Sequence, residues 1–349
     1  MKVLYVAGRE NTYSRTHNVL KALTGQGFEV IGCFPPDRSF RHYPKLIFKA
    51  IFHARRCDVI IVGFYGQLIL PFMRLYLFKP IIFDMYVATY DTMVQDRAVA
   101  KPESIKAWLY KASDIIACRL STIIILETQD HIRDFARKFK VPEKKFERIF
   151  LAVDSNKIFP GAENENGNFL VHFHGEYAPF HGVEYIIRAA HFLRNENINF
   201  QIVGRGITFE RDFALARKLG LRNIRFIDPV PYEELRTLMA KADICLGIFG
   251  GNERMLRVTT NKVVESIAMK KPLITGRNEP VQELLKHEES VYLVERANAE
   301  ALADAILHLK NNIGLRERIA ANGYNVFRQH CTIDQLGESL KRLIQNRED

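Results

Sequence analysis

Two charged side chains set among apolar ones are the first candidates for chemistry in this sequence. Lys262 and Glu265 stand three positions apart in NKVVESIAM, so a helix puts both on one face. Val263, Val264, Ile267 and Ala268 mark that helix as a core element. A carboxylate is seldom left inside a core without a task. The plain alternative is an ion pair between the two. Thr260 and Asn261 stand where they can cap the helix, and a helix amino terminus attracts phosphate. Arg254 and Arg257 lie just upstream, so with Lys262 three cations fall close together. Gly175, Gly182, Gly204 and Gly206 allow a backbone to approach a ligand closely. Arg205 lies in a G-R-G run that falls short of the dinucleotide fingerprint, because no acidic residue follows a second strand. His174 and His181 are read as sharing one loop, where a lone histidine is more often structural.

A second cluster, Asp84, Tyr90, Asp91, Asp96 and Arg97, follows an apolar run, PIIFDMY. Loops at strand carboxyl ends line the crevice of doubly wound folds, so these are candidate acceptor or sugar ligands. A capped turn with internal ion pairs explains them equally well. No DxD motif is present, and the cysteines at 33, 57, 118, 245 and 331 lack metal-ligand spacing. We therefore expect no obligatory metal, and buried thiols in a reducing compartment.

The net charge of +10 is uneven: residues 1–160 carry 25 Lys and Arg against 15 Asp and Glu, and residues 161–349 carry 25 against 25. A basic first half suits an anionic partner such as a phospholipid surface, and the bland alternative is a solubilising surface. The segment YPKLIFKAIFHARR reads as an amphipathic helix, with Leu46, Ile47, Ala50, Ile51 and Ala54 opposite Lys45, Lys49, His53 and Arg56. It either lies on an anionic membrane or packs on the core. The cluster Arg38, Arg41, Lys45, Lys49, Arg55 and Arg56 is the expected contact. No aromatic-basic motif suggests nucleic acid. The opening run MKVLYVAG is followed at once by Arg9 and Glu10, so it reads as a strand, not a signal peptide. No apolar stretch approaches the roughly 20 residues of a spanning helix. The expected location is cytoplasmic, with the option of peripheral attachment to the inner face of the membrane.

The elements that must position these residues alternate. Apolar runs such as KVLYVAG, DVIIVGF and TIIILET read as parallel strands covered on both faces, separated by helical segments. After DSNKIFPGAENENGN, which has linker chemistry, the strand–helix pattern restarts. The fold class is α/β, with two doubly wound, Rossmann-like parallel-sheet domains at 1–160 and 161–331. Two long helices close the chain, and the second of them, at 332–349, can pack back on the first domain.

Several segments of the second half resemble the donor-binding domain of glycosyltransferase family 4. They are HFHGEYAPFHGVEYIIRAAHFL, FQIVGRGITFERDFALARKLGL, FIDPVPYEELRTLMAKADICLGIF, NKVVESIAMKKPLIT and the tail from Ala299 to Glu338. In the first half, FLAVDSNKIFP and PIIFDMYVATYDTMVQDR are similar more loosely, with Asp84 where many members carry His. The resemblance implies a GT-B fold, its two domains facing a central cleft, and retaining transfer from a UDP- or GDP-linked sugar to a glycan or lipid-linked acceptor, in bacterial-type polysaccharide or glycolipid synthesis. It implies that Glu265 accepts hydrogen bonds from ribose hydroxyls and that Lys262 meets the diphosphate. The chain departs from the family at the first Glu of its E-x7-E pattern, where Arg257 stands, and at the phosphate cations of the first loop, where Glu176 and His181 stand. Arg254, Arg257 and Lys262 are read as compensating. The departures leave two other functions open: a catalytically silent GT-B binding subunit and a sugar-nucleotide epimerase of the same fold.

Overall fold

The computed structural model describes residues 1–37, 39–161 and 168–346. Arg38 and part of the expected linker (162–167) therefore lie outside the described residues. The chain divides into one unit of Met1–Ala152 with Ile333–Asp349 and a second of Val153–Thr332.

The first unit holds β1 (Lys2–Val6), α1 (Ser14–Gly25), β2 (Glu29–Cys33), α2 (Tyr43–Ala54), β3 (Val59–Val62), α3 (Leu70–Tyr76), β4 (Ile81–Asp84), α4 (Ile105–Leu120), β5 (Ile123–Leu126), α5 (Gln129–Phe139) and β6 (Phe146–Arg148). Its strands form one parallel sheet in the order β2-β1-β3-β4-β5-β6. Both faces of the sheet are apolar because both are covered. Leu4, Val6, Ile60 and Val62 look toward α2 to α5, while Val3, Tyr5, Val59 and Ile61 look toward α1 and the final helix. Side-chain caps set several helix starts: the Ser104 hydroxyl accepts from the Ala107 amide at 3.2 Å, and the Thr128 hydroxyl from the His131 amide at 3.2 Å.

The second unit repeats the plan with β7 (Phe169–His174), α6 (Val183–Phe192), β8 (Ile198–Val203), α7 (Phe209–Lys218), β9 (Ile224–Ile227), α8 (Tyr232–Ala240), β10 (Ile244–Leu246), α9 (Asn261–Ala268), β11 (Leu273–Gly276), α10 (Glu279–Gln282) and β12 (Tyr292–Val294). Its parallel sheet runs β12-β11-β10-β7-β8-β9. Strand order reverses between β7 and β10, so the loops leaving their carboxyl ends diverge and open a crevice.

Three helices, not the expected two, close the chain: α11 (Ala299–Asn311), α12 (Ile313–His330) and α13 (Ile333–Gln345). Asn312 breaks the first pair, because its side chain accepts from the Leu315 amide at 3.0 Å and starts a new helix. Helix α13 returns to the first unit, where Ile333, Leu336, Leu340, Leu343 and Ile344 pack with Val19, Ala22 and Leu23. All five cysteines are buried and free. No helix among the described residues is long and apolar enough to cross a membrane.

Candidate functional site

Each candidate residue of the second unit lies at the carboxyl ends of its strands or on the elements that follow. His174 is the last residue of β7, a strand position, not the loop position read from the sequence. Gly175 follows with φ +138, and a Cβ there would lie 2.9 Å from Lys262 Nζ. Gly204, at φ +136 after β8, faces it so closely that a Cβ would fall 2.0 Å from the Gly175 carbonyl oxygen. Only glycine fits these two turns, and together they seat the backbone directly on the Lys262 side chain.

Helix α9 carries both charged candidates inward: Lys262 and Glu265 are each 4% exposed. The Glu265 carboxylate is held by a chain of donors. Tyr232 donates its hydroxyl to Oε1 at 2.9 Å, and His174 Nε2 bonds Oε2 at 2.8 Å. His174 Nδ1 lies 3.0 Å from His172 Nε2, and His172 Nδ1 lies 3.0 Å from the Gln201 amide nitrogen. The same nitrogen bonds the Leu238 carbonyl at 2.8 Å. A carbonyl only accepts, so the Gln201 amide must present its N–H groups here, and every proton along the chain is thereby assigned. Gln201 donates to His172, His172 Nε2–H to His174, and His174 Nε2–H to Glu265. Burial and the neighbouring His174 hold the His172 imidazole well below its usual range, which agrees with a neutral ring. Burial opposes charge on Glu265, but the bonds from His174 and Tyr232 and the charge of Lys262 hold its carboxyl below the usual range. Two bonds leave lone pairs over, since an ionised carboxylate has about four acceptor sites.

Lys262 lies over the Phe173 ring, 5.0 Å from its centroid. Burial pushes its ammonium down to about 7, against the pull of Glu265 and Glu176. Thr260 is the N-cap residue of α9, but its side chain makes no cap bond, contrary to the sequence expectation; nor does Asn261 cap, because it is already the first helical residue. The buried hydroxyls of Thr259 and Thr260 find no hydrogen-bond partner among the described residues. The start of α9 thus keeps amide donors and hydroxyls available beside an ammonium, which is an anion-binding arrangement.

The loop after β7 closes this corner. His181 Nδ1 bonds the Glu176 carbonyl, so Nδ1 carries the proton and Nε2 is left to accept. Burial and Lys262 hold the His181 imidazole well below its usual range. Gly182 and Gly250 touch through backbone, and Arg254 lies over the Phe180 ring at 4.5 Å. Arg257 is turned to Glu253, with Nε 3.2 Å from its carbonyl oxygen. Arg205 is half exposed, ion-paired to Asp228 and stacked 3.6 Å over Phe209. The structure thus gathers Gly175, Gly204, His181, Lys262 and Glu265, with Arg254 beside them, and engages Arg205 elsewhere. A hollow of about 360 Å³ lined by Asn168, Asn199 and Arg225 lies at the amino ends of β7 to β9, the wrong end for ligands in this architecture.

In the first unit Asp84 ends β4 and is bound on both oxygens by Arg15, at 2.8 and 3.0 Å. Arg15 is 6% and Asp84 1% exposed. The Asp84 pair holds the Arg15 guanidinium charged despite its burial. Asp91 to Asp96 form one wide helical turn where the sequence suggested a loop, because the Asp114 carboxylate accepts from the Thr89 and Tyr90 amides at 3.0 and 2.9 Å. Asp91 is ion-paired to Lys138, which also lies over the Tyr90 ring; Asp96 is buried, and Arg97 ends the turn. Sequence reasoning missed Arg15, His172, Gln201 and Tyr232. Among the described residues no group of three His, Cys, Asp or Glu side chains is placed to hold a metal ion.

Residues 154–326 match the family described as Glycosyl transferases group 1. An uncharacterized glycosyltransferase of Methanocaldococcus jannaschii is 27% identical over 175 residues, 50% of this chain and 46% of that protein, so the match spans about half the length of each. Among solved structures, HepE of Anabaena in complex with UDP has a TM-score of 0.77 at 15% identity, covering 99% of this chain and 100% of that one. Sucrose-phosphate synthase of Thermosynechococcus elongatus has a TM-score of 0.81 at 13% identity, covering 100% and 99%. At such identities these two likenesses establish the fold. The chain therefore has the GT-B fold and carries a Glycosyl transferases group 1 domain over residues 154–326.

Proposed function

We propose that this protein is a retaining, metal-independent glycosyltransferase of family-4 type. Its donor is a UDP- or GDP-linked sugar, and its acceptor a glycan or lipid-linked glycan of the kind used in polysaccharide or glycolipid synthesis. The observation that carries the reading is the buried Glu265–Lys262 arrangement at the β7/β10 crevice. Glu265 keeps free lone pairs for two vicinal ribose hydroxyls, while Lys262 and the uncapped start of α9 offer positive potential to a diphosphate. A leaving diphosphate gains negative charge in the transition state, so donors fixed in advance there lower the barrier. UDP in the complex with the structurally similar HepE supports a uridine donor. Arg257 and Arg254 take the side of the phosphates in this reading, and Asp84 fixes Arg15 near the end of β4. The basic residues 1–160 favour an anionic acceptor and a cytoplasmic, membrane-attached setting.

Calorimetry with UDP, GDP and their sugars tests the donor. Wild type should bind one series, and Glu265→Gln should weaken it about 10- to 100-fold, the worth of a charged hydrogen bond, with an unchanged melting curve. Unchanged affinity would sink the ribose role. Arg257 standing where the family carries Glu favours a second reading, a binding subunit without turnover. Nucleotide binding without transfer to any acceptor, unrestored in Arg257→Glu, would select it.

A further inference from the structure

We propose that the outward faces of α2, α3 and α4 form a single surface that seats in the interface of an anionic bilayer, inserting aromatic and aliphatic side chains. The proposal deepens the membrane setting suggested above and is independent of the donor chemistry. A helix on a globular protein normally turns one apolar stripe to the core and a polar face to water. These three helices carry a second apolar stripe on the outside. In α2 the core takes Leu46, Ala50 and Ala54, yet Phe48 and Phe52, one turn apart, point outward. In α3 the core takes Leu70 and Met73, while Phe72 and Leu75 are exposed. In α4 the core takes Ala107, Ala117 and Cys118, while Ile105 and Trp108 are exposed. Phe78, just beyond α3, is 94% exposed.

Isolated exposed apolar side chains are ordinary. Contiguous ones are not, and here α2 packs beside α3 and α3 beside α4, so the stripes adjoin. Charge selects the occupant. Residues 39–80 contain seven Lys and Arg and one acidic residue, Asp58. Lys45, Lys49, Arg55 and Arg56 stand exposed around Phe48 and Phe52, and Arg56 lies over the Phe52 ring at 5.5 Å. Aromatic rings interleaved with snorkelling cations fit the headgroup layer of an anionic membrane. A second copy of the chain is a poor occupant, because a two-fold contact would press the same cations together.

The only tryptophan of the chain, Trp108, lies on this face and reports directly on it. The full-length protein would be mixed with phosphatidylcholine vesicles with and without 30% phosphatidylglycerol, following cosedimentation and Trp108 emission. Binding is expected to the anionic vesicles alone, with emission shifted to the blue and quenched by bromine-labelled acyl chains. Phe48→Ser/Phe52→Ser/Leu75→Ser should weaken partition at least tenfold with an unchanged melting curve. Lys45/Lys49/Arg55/Arg56→Gln should weaken it further and remove its salt sensitivity, since each such cation strengthens binding about fivefold. No vesicle binding at low salt would overturn the proposal. So would binding with Trp108 emission unmoved, which means another face adsorbs, or a blue shift with doubled mass and no vesicles, which means the face joins two copies. None of these readouts uses nucleotide, so their failure is separate from failure of the donor assignment.

Discussion

Each unit buries an ionised carboxylate, and the two are treated in opposite ways. In the first unit Asp84 meets the guanidinium of Arg15 on both oxygens, so the charges cancel and the acceptors are spent. In the second, Glu265 accepts from Tyr232 and from the end of the Gln201–His172–His174 chain, with the charge of Lys262 nearby, and so keeps part of its acceptor capacity. A carboxylate closed by a matched cation is a structural fastening. One held by a single hydrogen bond on each oxygen still has acceptor sites to offer a partner, and that difference separates a strut from a binding group better than burial does.

Breaking the first unit's pair should have the largest effect. Arg15→Met leaves Asp84 buried without its cation and should cost about 3–5 kcal/mol of stability. The double change Arg15→Met/Asp84→Leu should recover most of it. Denaturant melts would show both, and a double variant as unstable as the single would contradict the strut. Next, Gln201→Leu removes the group that fixes the His172 tautomer. It leaves the Leu238 carbonyl short of a donor, so about 1–3 kcal/mol of stability should go. Nucleotide affinity should fall roughly tenfold while Glu265 itself is intact, a loss of about 1.4 kcal/mol. Calorimetry on the folded variant decides it, and full affinity would mean that the chain does not orient Glu265.

The last effect is on pH. Burial brings the Lys262 ammonium down to about 7. A bound diphosphate favours the charged form, so binding should take up a proton above that value. Affinity should then weaken as pH rises from 7 to 9, by at most tenfold per unit for one group. Calorimetry in buffers of different ionisation heat counts the proton, and a count of zero at pH 8 would remove Lys262 from the phosphate site.

What the sequence disclosed follows the range of each signal. Glu265 was legible because its apolar neighbours are adjacent in the chain, and the parallel sheets because each strand declares itself locally. Tyr232 and the role of His174 were not, since the two reach Glu265 across 33 and 91 positions. Arg15, 69 positions from Asp84, was hidden for the same reason. The outward rings of α2 escaped by another route. Periodicity locates an apolar stripe but does not say which of two faces inward, and small Ala50 and Ala54 mark the buried one by permitting close packing.

Helix α13 has a consequence for how the protein is made. The unit whose sheet emerges first from the ribosome is completed last, because Leu336, Leu340 and their neighbours cover α1 only after the whole second unit has been synthesised. Five large aliphatic side chains at about 1.5–3 kcal/mol each is more than the net stability of many domains. Until α13 arrives, the nascent first unit carries an uncovered apolar face, and a stop codon near position 332 should leave an aggregating product.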